Sequence, residues 1–422
     1  MSKFIIQGGA KISGTIEVKG AKNAALKIIP ASLLSADKIT ITNLPNIEDI
    51  SRSLEILEDL GAVINRQTDS CEITPNITKT EIRPDLANKL RASIMFVGPL
   101  LARFGKVSFP HPGGCVIGAG SRPIDLFLER FQALGAAIEH RDGFYHLQAQ
   151  KLQGCAYFFT TVSVTGTESL MMTAVLAAGT TVLKNCAMEP EIIALADYLN
   201  SCGAKITGAG SPIITIEGVD QIGAQTIAII PDRIETGTFA IMAAATKSEL
   251  LITKCNPAHI EILLTIFKKQ GIPFEAGADW LKIKAATEIK PYDIKTHEYP
   301  GFPTDLQSPY TILMTQATGS SLIHETIYDR RLLFTDLLMQ MGANIIMCDP
   351  HRVVVNGPTK LQGRKLTSPD LRAGMAIIIA AMVAEGQTEV DNIYQIDRGY
   401  ENIDTRLRNI GVDIRRIGAL NI

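Results

Sequence analysis

The chain has no CxxC pair; its seven cysteines are scattered at positions 71, 115, 155, 186, 202, 255 and 348. An odd, dispersed set argues against a disulfide framework or a structural zinc site and for a reducing, cytoplasmic setting. The seven histidines form no HExxH and no HxH, so metal-hydrolase spacing is missing too. No metal and no cofactor are expected. Charge of one sign is also lacking: 41 Lys+Arg against 43 Asp+Glu leave a net −2. The broad basic field that a nucleic-acid partner needs is therefore absent. The longest apolar run, AGMAIIIAAMVA at 373–384, is shorter than the roughly 18 residues that span a bilayer, so no membrane partner is expected. MSKFIIQGGAKISG carries charges and glycines where the apolar region of a secretory signal would sit. No GxGxxG follows a strand-like run and no GxxxxGK[ST] occurs, which sets aside the common nucleotide-binding folds.

What is present is a hydrophobic fraction of 46% with 20% charged residues over 422 positions. That is the composition of a globular chain too long for one ordinary core, so two domains are expected. Six internal repeats organise it. A helix-like stretch runs into glycine and then a short strand in LEDLGAVI, FQALGAAI, LNSCGAKI, FKKQGIPF, LMQMGANI and LRNIGVDI. Their glycines, Gly61, Gly135, Gly203, Gly271, Gly342 and Gly411, lie 74, 68, 68, 71 and 69 residues apart. Glycine there is the expected left-handed stop of a helix. Upstream of each lies a β-like run, and before that a stretch apolar nearly all round: NAALKIIPASLL, ASIMFVGPLLA, SLMMTAVLAAG, TFAIMAAATK, YTILMTQATG and AGMAIIIAAMVA. A helix with no polar face must be buried. The reading is α/β, two domains of three repeats, each built around its apolar helices.

Polar residues gather where those apolar helices start: Lys22 and Asn23, Arg91, Glu168, Arg233 and Glu235, Asp305 and Gln307, Asp370 and Arg372. Taken singly, each is equally well a helix cap or a surface ion pair. If the helices of a domain run in one direction, their positive ends cluster on one face. Two such faces meeting would make an anion-binding cleft, and Lys22, Arg91 and Arg372 would add full positive charge. YDRRLLF and YQIDRGYENI contribute Arg331 and Arg398; Asp397–Arg398 also reads as a structural pair on a loop.

One further stretch, HPGGCVIGAGSRPIDL at 111–126, sets Cys115 among Gly113, Gly114 and Gly118, with Arg122 and Asp125 close behind. A lone cysteine is commonly a small buried residue. Here bulky neighbours are missing, and Arg122 would favour the thiolate. A reactive thiol in a mobile loop stands beside the buried reading.

Together, VKGAKNAAL, KLRASIM, HPGGCVIG, SRPIDL, PDRIETGTF, FPTDLQ, SPDLRAGM and IDRGYENI resemble, in order, the UDP-N-acetylglucosamine 1-carboxyvinyltransferases. The resemblance implies two inside-out α/β domains, 22–229 and 1–21 with 230–422, and an active site in the cleft between them. It implies transfer of the enolpyruvyl group of phosphoenolpyruvate to the 3′-hydroxyl of UDP-N-acetylglucosamine, with release of phosphate, the first committed step of peptidoglycan synthesis. Those two molecules are the implied partners. By the same resemblance Cys115 is the general acid and the target of fosfomycin, Asp305 is the general base, and Lys22 and Arg398 are catalytic. Phosphoenolpyruvate falls to Lys22, Asn23, Arg122, Arg331, Asp370, Arg372 and Arg398. The nucleotide sugar falls to Asn23, Arg91, Arg122, Pro123, Ile124, Asp125, Leu126, Ser163, Val164, Thr165, Asp305 and Ile327. The Cys115 loop is slightly longer than the family's usual form, and Thr165 stands where the family often has glycine. The nearest rival, 3-phosphoshikimate 1-carboxyvinyltransferase, lacks the cysteine loop. A non-catalytic anion-binding repeat protein would be expected to lack the acid or the base.

Overall fold

A computed structural model describes residues 2–9, 11–113 and 124–418. The chain forms two compact units, Gly20–Ile230 and Met1–Lys19 with Pro231–Ile422. Each is built round three of the apolar helices. In the first they are α1 (Lys22–Ala31), α2 (Val97–Phe104) and α3 (Val164–Ala174). In the second they are α4 (Arg233–Ala245), α5 (Gln307–Met314) and α6 (Leu371–Val383). Every residue of α4 and of α5 is buried. That is what a helix without a polar stripe requires.

Outside each helical centre lie three sheets, six in all among the described residues. Their strands alternate buried and half-buried residues, as in Ile39–Thr42 and Leu250–Thr253. One face therefore packs inward and the other meets solvent. The amphipathic helix of each repeat, such as Glu48–Leu60 or Glu261–Gln270, stops at its expected glycine. All six of those glycines have φ between 78° and 112°, a region costly for any residue with a Cβ.

Strand pairing accounts for the discontinuous second unit. Lys3–Gln7 lies between Gln387–Asp391 and Asp413–Ile417, antiparallel to both. Thr15–Glu17 runs parallel to Leu250–Thr253, with Ile16 opposite Ile252. In the first unit the late strand Ile227–Ala228 returns to pair parallel with Ile39–Thr42. Each unit thus completes a sheet with a strand from a distant part of the chain.

The helical centres are packed to contact. A Cβ at Gly98 of α2 would stand 2.2 Å from Thr173 Oγ1 and 3.2 Å from the Ser169 carbonyl oxygen, both on α3. Gly98→Ala should therefore lower stability by about 1–3 kcal/mol, the usual cost of overpacking. Adding Thr173→Ala should recover part of it, because the clash is with that side chain. Urea unfolding midpoints of the single and double variants check this; a Gly98→Ala protein as stable as its parent would contradict the close approach.

Candidate active site

In the unit containing α4–α6, Asp305 sits in the short turn Thr304–Leu306 that leads into α5. Two arginines hold it. Arg331 Nη2 donates to Oδ1 at 2.8 Å. Arg372, in the first turn of α6, donates to Oδ2 from Nε at 3.0 Å and approaches it with Nη2 at 2.9 Å. Both guanidinium groups are buried. Burial alone would raise the Asp305 pKa, but Arg372 and Arg331 outweigh it and hold the carboxyl well below the ordinary range.

Three neighbours fix this cluster. Asp370 caps α6, accepting from the backbone N–H groups of Arg372 (2.8 Å) and Ala373 (3.0 Å). Asp232 caps α4 in the same way, through Ile234 and Glu235. The buried Tyr400 hydroxyl lies 3.4 Å from Arg372 Nη1 and 3.1 Å from Thr238 Oγ1 of α4. Residues at the starts of α4, α5 and α6 thus meet, so the three helices present their N-terminal ends together. Behind them the buried Glu325 accepts from Thr296, Thr304 and the backbone N–H groups of Ile327 and Tyr328.

Arg398 follows the Tyr394–Asp397 helix, and its Nη1 donates to Gln395 Oε1 at 3.1 Å. The Asp397 carboxylate is taken by Arg416 in a two-point contact of 2.7 and 2.8 Å. The structural pair on that loop is therefore Asp397–Arg416, formed with the last strand.

In the unit containing α1–α3, Lys22 Nζ contacts Asp49 Oδ2 at 2.7 Å, and both groups are buried. Lys27, one turn further along α1, donates to the Asn23 carbonyl at 2.8 Å and pairs with Glu168 Oε2 at 3.1 Å. Glu168 is fully buried within α3 rather than at its start. Burial pushes its pKa up to about 7; Lys27 offsets part of this, and Glu191 and Glu189 add to it. The start of α3 belongs to Ser163, whose Oγ accepts from the Gly166 N–H at 3.1 Å, with Val164 and Thr165 opening the first turn. Arg91 lies on the 3-10 turn Arg91–Phe96 before α2 and donates to the Pro112 carbonyl at 3.1 Å. Asp125 and Leu126 begin the Asp125–Ala133 helix, directly after the buried Ile124. Cys115, Arg122 and Pro123 lie outside the described residues.

The structure joins Asp305, Arg331 and Arg372 by direct contact, with Asp370 and Ile327 on adjoining turns. Sequence reasoning missed Lys27, Asp49, Glu325 and Tyr400. Lys27 had a signal: a charge in the middle of an otherwise apolar helix needs a buried partner. A cavity of about 980 Å³ at the C-terminal ends of α1 and α2, lined by residues such as Asp37, Arg103, Lys106 and Lys151, includes none of the expected site residues. Among the described residues no cluster of His, Cys, Asp or Glu has a metal-binding arrangement.

The EPSP synthase (3-phosphoshikimate 1-carboxyvinyltransferase) family model matches residues 6–407. A UDP-N-acetylglucosamine 1-carboxyvinyltransferase of Desulfosudis oleivorans is 42% identical over 418 residues, 99% of this chain and 100% of that one. One from Halothermothrix orenii is 44% identical with the same coverage. The chain belongs to the UDP-N-acetylglucosamine 1-carboxyvinyltransferases of the EPSP synthase family. The fold agrees with this membership. The enolpyruvyl transferase NikO from Streptomyces tendae superposes with a TM-score of 0.89 at 22% identity, covering 99% of both chains. An EPSP synthase from Acinetobacter baumannii gives 0.74 at 16% identity, covering 99% of this chain and 100% of that one.

For this carboxyvinyltransferase the raised pKa of Glu168 has a stability consequence. The folded state keeps a proton there that the unfolded chain loses near pH 4.5. Stability contributed by that proton is present below about pH 4.5 and is lost as pH rises to about 7. The full change is on the order of 3 kcal/mol. Glu168→Gln, neutral at every pH, should flatten stability between pH 5 and 8. Urea unfolding at both pH values checks this, and equal slopes for the two proteins would refute it.

Proposed function

We propose that this chain transfers the enolpyruvyl group of phosphoenolpyruvate to the 3′-hydroxyl of UDP-N-acetylglucosamine and releases phosphate. Full-length identity above 40% to proteins named for that reaction carries the reading. The paired arginines beside a carboxylate support it, because the donor brings both a phosphate and a carboxylate.

In this reading Asp305 takes the proton from the sugar hydroxyl, and the freed oxygen bonds to C2 of phosphoenolpyruvate. Cys115 delivers a proton to the methylene carbon, giving a tetrahedral intermediate. Loss of a proton from the new methyl group then expels phosphate and restores the double bond. Arg331, Arg372, Arg398, Arg122 and Lys22 hold the donor's negative charge, with Asp370 fixing the helix end that presents Arg372. Asn23, Arg91, the 122–126 stretch, 163–165 and Ile327 hold the nucleotide sugar. An acid and a base each contribute typically 10²–10⁴-fold. The six cysteines among the described residues are unpaired, which suits a cytoplasmic enzyme.

Phosphate release from phosphoenolpyruvate should require UDP-N-acetylglucosamine. Release driven equally by 3-phosphoshikimate would replace this reading with the sister activity. A second expectation concerns the thiol: fosfomycin should add one adduct, seen by intact mass, and Cys115→Ala should abolish it. An adduct that survives the substitution would assign the wrong cysteine.

A further inference from the structure

The base of the proposed reaction is held in a contact that opposes its use. Arg331 occupies one oxygen of Asp305 and Arg372 the other. A carboxylate clamped by two buried guanidinium groups does not accept a proton from a sugar hydroxyl. Yet the arginines are not saturated by it: the buried Nε of Arg331 makes no hydrogen bond. The other charged or titratable groups that face them are Glu325, Asp370 and Tyr328 toward Arg331, and Asp232 and Tyr400 toward Arg372.

We propose that Arg331 and Arg372 lock Asp305 and that the anionic donor itself opens the lock, by drawing the two guanidinium groups onto its phosphate oxygens. This rests on Asp305 being the base. A phosphate offers several oxygens to the planar forks of two arginines and is the stronger partner. Once they turn to it, burial acts on Asp305 without its counterweight. Burial is the largest influence on this group and it favours the protonated form. The same carboxyl thus passes from inert to proton-accepting when the donor arrives. Deprotonation of the acceptor then waits for the group to which its oxygen must bond.

The exchange is reciprocal. If an anion frees Asp305, then the Asp305 charge must weaken anion binding by the same factor. Sulfate is the probe, since it is a tetrahedral dianion that does not titrate near neutrality. Its affinity is measured by calorimetry on the full-length parent, Asp305→Asn and Asp305→Ser, with folding of each verified by circular dichroism. Two neutral variants are used so that misfolding of one leaves the other to decide. Asp370→Asn, which still caps α6, removes a nearby charge that makes no contact with the two guanidinium groups in the lock. Asp305→Asn or Asp305→Ser should bind sulfate about tenfold tighter than the parent, and Asp370→Asn only a few-fold tighter. Equal affinity for parent and Asp305 variants, no sulfate binding by any of them, or equal tightening by Asp370→Asn would each overturn the lock. None of these measurements involves turnover. Failure of the lock therefore leaves the acceptor-dependent phosphate assay untouched, and failure of that assay is read separately.

Discussion

A helix that is apolar on every side has no stable place except inside other protein, and six such helices govern this chain. With three of them at the centre of each unit, the sheets are forced outward, each offering one apolar face. The reverse layering, with sheet inside and helices outside, would leave α4 and α5 with buried residues and no polar face to give to water. Burial along their whole length also leaves only their ends for polar chemistry. At the N-terminal ends of α4–α6 this brings together Asp232, Asp305, Asp370 and Arg372. The helix dipoles there add their own positive field.

The two units solve one electrostatic problem with opposite outcomes. Asp305 and Glu168 are both carboxyls for which burial is the leading influence, and it pushes both upward. Asp305 touches two arginines in three contacts, and these overturn the effect of burial. Glu168 has one lysine, itself shared with the Asn23 carbonyl, and two further carboxylates nearby. The number of cations in contact, set against neighbouring anions, decides the sign. Asp305 keeps its charge between two arginines, while Glu168 keeps a proton in the core against Lys27.

The repeats, the six terminating glycines and the buried helices were legible in the sequence because each has a local physical cause. Glycine was needed for its positive φ, and the lack of any polar stripe was visible in the sequence itself. Asp305 and Arg372 were legible as polar residues at helix starts and Arg331 as a nearby cation, but their roles came from motif resemblance; their mutual contact was not legible, since 67 positions separate Asp305 from Arg372. Arg91 and Glu168 were expected at helix starts; Arg91 opens the helical stretch, as a 3-10 turn, and Glu168 lies further in. A 3-10 turn intervenes before α2, and the cap of α3 is Ser163, so Glu168 falls inside the helix. Asp370 was read both as a cap and as a site residue. It caps α6, and through that bond it sets the turn from which Arg372 reaches Asp305.

Non-local strand pairing was the least legible feature, and it bears on where α1 begins. Once Thr15–Glu17 has paired with Leu250–Thr253, the chain can run only a few residues before α1 starts. Around that point short bonds fix the backbone on either side. Within one unit the Asp232 N–H donates to the Lys19 carbonyl at 2.9 Å; within the other the Ala21 N–H donates to the Ile230 carbonyl at 2.7 Å. Gly20, between them, has no room for a side chain: a Cβ would stand 1.9 Å from the Asn43 carbonyl oxygen. Lys22 therefore follows a backbone already fixed, within its own unit, by Ile230 and by the close approach of Asn43. Its ammonium then meets Asp49 Oδ2 at 2.7 Å. Here sheet topology, rather than local propensity, determines where Lys22 begins α1.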